Sequence, residues 1–148
     1  MNKGQGGIST QGKSRGDLLV LLEEAQNKLG YLPAELIAEL AKSLDMSLSD
    51  VYGMATFYSF LATKPLGRNV IRICKSLPCY LKDSQMIIKS VEEEIGIKPG
   101  ETTPDGKFSF ELTNCIGACD KAPAMMINSD PHVDLTPAKI SQILKACK

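Results

Sequence analysis

Two pairs of cysteines constrain this chain more than any other feature. Cys115 and Cys119 flank Ile116-Gly117-Ala118, and Cys74 and Cys79 flank Lys75-Ser76-Leu77-Pro78. Four of the five cysteines thus fall into two close pairs, each following a strand-like run. Such a pattern can hold disulfides, a zinc ion or an iron–sulfur cluster. Disulfides need an oxidising compartment. The opening residues 1–7 lack the apolar core of a signal peptide, so the expectation is a cytoplasmic chain with reduced thiols. Zinc remains open, since four thiolates suit a tetrahedral ion, and it would make the chain a stapled structural or adaptor module without redox activity. Zinc knuckles commonly place two residues between paired cysteines. Loops of four and three residues are wider and suit a binuclear cluster with one pair on each iron. Gly117 and Ala118 point the same way, because small residues let backbone N–H groups approach bridging sulfides.

Charge narrows the choice of partner. Lys+Arg and Asp+Glu both number 17, and neither half has a basic excess, which argues against nucleic acid. The longest apolar run, from Leu18 to Leu22, is too short to span a bilayer, so no direct membrane insertion is expected. At 43% hydrophobic and 23% charged residues, 148 residues suffice for one domain or two small ones.

Residues 1–16, rich in Gly, Ser, Gln and Asn, read as a flexible arm. Residues 17–66 read as a bundle of three short amphipathic helices. Asp17 caps the first, Leu18, Leu21, Leu22, Ala25 and Leu29 share its face, and Gly30 stops it. Pro33 opens the second, with Leu36, Ile37, Leu40, Ala41 and Leu44 in one stripe. Ser47 caps the third, whose apolar side is Val51, Met54, Ala55 and Tyr58. The aromatic segment 56–60 reads first as core packing, with a partner-facing patch as the alternative.

Residues 67–148 read as an α/β domain. A strand over 69–73 delivers Cys74, and Pro78 stiffens the loop to Cys79. A helix from about Asp83 turns Met86, Ile87, Val91 and Ile95 inward and ends at Gly96. Glu92-Glu93-Glu94 reads as a solvated face. Phe108, Phe110 and Leu112 alternate in a half-buried strand leading to Cys115. Ala124 to Asn128 is a third strand, Ser129-Asp130-Pro131 a turn, and 132–135 a short fourth strand. Thr136 and Pro137 then open a last helix bearing Ile140, Ile143, Leu144 and Cys147 inside. The order βαβ, then ββα, resembles a thioredoxin-like domain, with both cysteine pairs leaving the same end of neighbouring strands. Cys147 reads as a packing residue, His132 as a surface strand position, and Met125 and Met126 as strand packing.

Several stretches together resemble one family. They are Gly30-Tyr31-Leu32-Pro33, Ala55-Thr56-Phe57-Tyr58, Ile73-Cys74 through Pro78-Cys79, Gly100-Glu101-Thr102-Thr103-Pro104-Asp105, and Asn114 through Cys119 with Ala122-Pro123. They resemble the thioredoxin-like [2Fe–2S] subunit of NADH dehydrogenases, the 24 kDa subunit of the respiratory complex. The same module serves in NAD(P)-linked hydrogenases and formate dehydrogenases, including electron-bifurcating ones. The resemblance implies one [2Fe–2S] cluster on Cys74, Cys79, Cys115 and Cys119, the first pair on one iron and the second on the other. It implies a non-catalytic electron-transfer subunit of an oxidoreductase, docked by its helical region to a flavoprotein that alone carries FMN and the NAD(H) site, beside further iron–sulfur subunits. The chain has no dinucleotide or flavin fingerprint of its own. A glycine-rich arm stands where respiratory members often carry a further helix, which favours a soluble assembly.

Overall fold

The computed structural model describes residues 12–147. These fall into two compact units, one running to Pro65 and the other from Leu66. Most of the expected flexible arm, residues 1–11, lies outside the described residues.

In the first unit, Ser14 opens a 3-10 turn over Arg15–Asp17, and the Arg15 guanidinium pairs with Asp45 at 3.0 Å. Asp17 does not cap the helix that follows. Its carboxylate accepts instead from the Ser14 N–H at 2.8 Å and the Ser14 hydroxyl at 2.9 Å, closing the 3-10 turn. Helix α1 (Leu18–Leu29) buries Leu18, Leu21, Leu22 and Ala25. Leu29, expected on that face, is exposed, because the helix stops there. Gly30 takes a left-handed conformation (φ 83°) and returns its N–H to the Gln26 carbonyl, which an L side chain would resist. In α2 (Ala34–Ser43), Pro33 is the residue before the first turn rather than in it, and Ile37, Leu40 and Ala41 are buried. Helix α3 (Leu48–Phe57) starts at Ser47, whose hydroxyl accepts from the Asp50 N–H at 3.1 Å. One apolar cluster built from α1, α2 and α3 with Leu32 and Leu44 fills the unit. Gln26 ties the chain after α3 to α1, donating to the Phe60 carbonyl and accepting from the Ala62 N–H at 2.6 Å.

The second unit is a four-stranded sheet in the order β2-β1-β3-β4. Strands β1 (Asn69–Cys74) and β2 (Phe108–Thr113) run parallel, and β1 pairs antiparallel with β3 (Met125–Ile127). The parallel pair requires a crossover, supplied by α4 (Leu77–Leu81) and α5 (Ser84–Ile95). The last helix is α6 (Pro137–Ala146), with Thr136 accepting from the Lys139 N–H at 3.3 Å. Because side chains alternate along a strand, Ile71 and Ile73 share a face with Phe108 and Phe110. With Met125 and Ile127 they join Ile87, Ile88 and Val91 of α5 and Ile140 and Leu144 of α6 in one core. Each such side chain contributes about 1.5–3 kcal/mol by leaving water. The outer edge of β2 is covered by residues 100–103, through Gly100 N–H to the Phe110 carbonyl and Thr103 N–H to the Phe108 carbonyl.

Several local expectations are corrected. The segment after Cys74 is a short helix, α4, with Pro78 in its first turn, rather than a loop. Met86 is exposed, and Ile88 takes the inward place on α5. The hairpin turn is Asn128-Ser129, with Asn128 at φ 54°, so β4 is Asp130–His132 and not 132–135. Pro131 is tolerated because β4 is an edge. Glu94 is not merely solvated: it accepts from Ser141 at 3.2 Å and pairs with Lys145 at 3.7 Å, joining α5 to α6. Tyr58 is exposed, as are Phe57 and Phe60, so the aromatic segment 56–60 does not pack into the core. No described helix is long and apolar enough to cross a membrane.

Candidate metal centre

The sheet topology brings the two cysteine pairs together. Cys74 is the last residue of β1, and Cys115 follows the end of β2 by two residues. Since these strands are parallel neighbours, both cysteines emerge at one end of the sheet. The antiparallel β3 begins at that same end, so the segment carrying Cys119 must return there too. Backbone bonds hold the junction: Cys74 N–H donates to the Ala124 carbonyl at 3.3 Å and Lys75 N–H to the Thr113 carbonyl at 2.9 Å. The far side of the second loop is pinned by Asp134 N–H to the Lys121 carbonyl and Leu135 N–H to the Pro123 carbonyl.

The two pairs differ in environment. Cys74 and Cys79 are each 1% exposed and form a small buried cluster with Ala124, against which Ile116, Ala118, Ala122 and Val133 pack. Cys115 and Cys119 are exposed, with their Sγ atoms 3.1 Å apart. Gly117, at φ 85°, folds the intervening loop back so that its N–H donates to the Cys115 sulfur at 3.4 Å. Cys79 lies near enough to Cys74 and Cys115 for their charges to raise its thiol pKa, so the two pairs face one another at the sheet end.

The set is electrostatically uneven. The hydrogen bond with the Cys119 thiol, with the Gly117 N–H, lowers the Cys115 pKa below the ordinary thiol value. Cys119 is pushed up to about 11, chiefly by that same hydrogen bond to Cys115. Burial raises Cys79. Among the described residues, no three His, Cys, Asp or Glu side chains are already spread at metal-binding spacing. Cys115 and Cys119 hydrogen-bond to each other instead. As donors, four cysteines on one sheet end, two dry and two wet, with small residues between the wet pair, fit a four-thiolate iron–sulfur group.

The remaining sequence candidates lie elsewhere. Cys147 is half-buried against the sheet core, its thiol donating to the Ile143 carbonyl at 3.4 Å, and burial raises its pKa. His132 lies on β4 opposite Met125, and Met125 itself is buried in the core. Sequence reasoning missed an ion pair beside the site. Arg72 and Glu111 are register partners on β1 and β2, with Nε and Oε2 3.2 Å apart. Arg72 is buried and shares its strand face with Cys74. By alternation Arg72 falls on the face opposite Ile71 and Ile73, and the strand pattern alone does not announce that this charge is buried. Also missed was the surface of α4, where Leu77, Tyr80 and Leu81 stand exposed around buried Cys79.

The family pattern of thioredoxin-like [2Fe–2S] ferredoxins matches residues 5–148. The chain belongs to this family. Among its relatives, the E-type subunit of the NADH-quinone oxidoreductase of Escherichia coli (strain K12) is 43% identical over 127 residues, covering 86% of this chain and 76% of that one. The like-named protein from Aquifex aeolicus (strain VF5) is 38% identical over 132 residues, covering 89% and 82%. In fold, this thioredoxin-like ferredoxin superposes on a chain of an air-oxidised NAD+-reducing [NiFe]-hydrogenase with a TM-score of 0.72 and 26% identity. That match covers 87% of this chain but only 22% of the hydrogenase chain, so the likeness is to one part of a larger protein.

Proposed function

We propose that this chain is the electron-transfer subunit of an NAD(P)H-linked oxidoreductase and holds one [2Fe–2S] cluster on Cys74, Cys79, Cys115 and Cys119. The observation that carries this reading is the convergence of those four thiols at one end of the sheet, in a chain of this family. Bound there, the cluster supplies a one-electron carrier. The chain's own residues do the rest. Buried Cys74 and Cys79 anchor the dry side, while Ile116, Ala118, Ala122 and Val133 keep water from it. The Gly117 N–H, aimed at Cys115, stabilises negative charge on that sulfur. The bonds from Cys74 and Lys75 to Ala124 and Thr113 fix both loops to the sheet, which keeps the donors in place between oxidation states.

In this reading electrons reach the cluster one at a time from a partner's redox group. The relatives' names, a component of an NADH-quinone oxidoreductase and an NAD+-reducing hydrogenase, support a flavoprotein partner that binds FMN and NAD(H). In this reading residues 17–66 are the docking module and 67–148 the cluster domain. The test is anaerobic purification of the chain. A reddish-brown protein with about two irons per chain and a paramagnetic signal on reduction is expected. Colourless protein with one stoichiometric zinc would overturn the reading.

A further inference from the structure

The four thiols are unequal in reach. Cys74 and Cys79 are enclosed by apolar side chains, whereas Cys115 and Cys119 face solvent with 3.1 Å between their sulfurs. A disulfide bond is ~2.05 Å long, so an approach of about 1 Å separates the exposed thiols from covalent contact. Such an approach lies within side-chain rotation, and the loop between them has room to follow. Nothing stands within 4 Å of where a Cβ on Gly117 would be. Cys147, just past the end of α6, bonds back to the carbonyl of Ile143.

We propose that, before a cluster is installed, Cys115 and Cys119 close reversibly into an intramolecular disulfide with a small disulfide such as oxidised glutathione as oxidant, and that this bond blocks cluster loading. One exposed cysteine, as thiolate, attacks a sulfur of oxidised glutathione. The glutathione S–S bond breaks, a mixed disulfide forms and one glutathione leaves. The second cysteine attacks the protein-side sulfur of the mixed disulfide, forms the Cys115–Cys119 bond and expels the second glutathione. Two electrons pass from the cysteine sulfurs to glutathione, and the two cysteine protons end on the two released glutathione thiols. A dithiol reductant runs the sequence backwards. Metal loading requires free thiolates, so the bond removes two of the four donors while the dry pair remains reduced. The loading consequence rests on the ligand set proposed for the cluster; the bond itself does not.

The experiment uses the full chain, stripped of metal and reduced, then held anaerobically in glutathione buffers of rising oxidised fraction. Thiols are alkylated after denaturation and mapped by peptide mass. A linked Cys115–Cys119 peptide is expected, with Cys74, Cys79 and Cys147 alkylated. A predominant Cys74–Cys79 or Cys74–Cys115 bond, or glutathione retained on both exposed cysteines, would overturn the proposal. The Cys119→Ser chain should instead hold glutathione stably on Cys115, and failure to do so counts against the exchange route. Iron uptake under reconstitution is then compared. The oxidised chain should load roughly tenfold more slowly than the reduced one and recover with dithiothreitol. Equal loading with the mapped bond intact would overturn the block. If the reduced chain takes no iron at all, the ligand reading fails, and the peptide map still decides the disulfide.

Discussion

At the scale of single residues, position relative to the sheet decides what a cysteine can do. Cys147 lies against the sheet core just past the end of α6, whereas the other four gather at the strand ends. Cys147→Ser is therefore expected to keep the full iron content. Serine at Cys74, Cys79, Cys115 or Cys119 should lose the iron or shift its reduction potential, since oxygen is a poorer donor to iron than thiolate. Iron analysis and redox titration of the five variants check this, and loss of colour in Cys147→Ser alone would refute the assignment. A second residue-scale expectation concerns Glu111. Burial raises its pKa, and the Arg72 charge opposes that rise only in part. For an acid with a raised folded-state pKa, the folded chain binds the proton more tightly than the unfolded one. Its contribution to stability is thus present below the ordinary glutamate value and is lost as pH rises through the folded value. Asp17, bonded by the Ser14 backbone and hydroxyl, and Asp105, bonded by Thr103 and Lys107, are lowered and act in the opposite sense. The comparison that isolates Glu111 is urea unfolding of the wild type and Glu111→Gln across pH 4 to 8. The wild type should lose stability relative to the variant as pH rises through that window.

At the scale of elements, Gly67 makes the sharpest prediction. A Cβ there would meet the Phe108 carbonyl carbon at 2.8 Å and the Ser109 nitrogen at 3.0 Å, both backbone atoms that cannot swing aside. Its N–H also donates to the Ser109 hydroxyl at 2.7 Å. Gly67→Ala should cost about 1–3 kcal/mol through overpacking, measured by denaturant unfolding. Ser47→Ala should cost about 1 kcal/mol through loss of the α3 cap. Sequence alone reads Gly67 only as a breaker in a connector, because its neighbours come from a strand some forty residues on. The same contrast runs through the molecule. The stripes of α1 and α2, the caps at Ser47 and Thr136 and the stops at Gly30 and Gly96 are local, and local pattern reveals them. Helix α4 is five residues long with a proline inside, too short to show a period. The turn before β4 depends on Asn128 adopting a left-handed conformation, which starts the strand earlier than apolar spacing indicates. The pairing of Arg72 with Glu111 is a matter of strand register, invisible until β1 and β2 are aligned. At the site, cysteine spacing announces the donors, but nothing in that spacing says that one pair is dry and the other wet.

At the scale of the whole molecule, the unit running to Pro65 exposes more apolar surface than its fold requires. Phe57 is 78% and Tyr52 51% exposed, with Leu48 and Phe60 also open, and Phe57 stacks edge-on with Tyr58 at 5.0 Å. The core of this unit is complete without them. Aromatic side chains held on a helix and its end lose little conformational freedom on binding, which is why such residues carry much of the energy at protein interfaces. If this unit docks the flavoprotein, Phe57→Ser and Tyr52→Ser should each weaken the complex by about 2 kcal/mol, roughly thirtyfold in Kd. Neither change touches the cysteines, so iron content and potential should stay at wild-type values. Reduction of the variants by a chemical reductant should be normal, while reduction by NADH through the flavoprotein should need correspondingly higher concentrations of it. Binding measured by surface immobilisation and reduction followed by absorbance separate the two effects. Full affinity in the Phe57→Ser, Tyr52→Ser double variant would assign docking to another surface, and exposed Leu77, Tyr80 and Leu81 of α4 would then be the next to substitute.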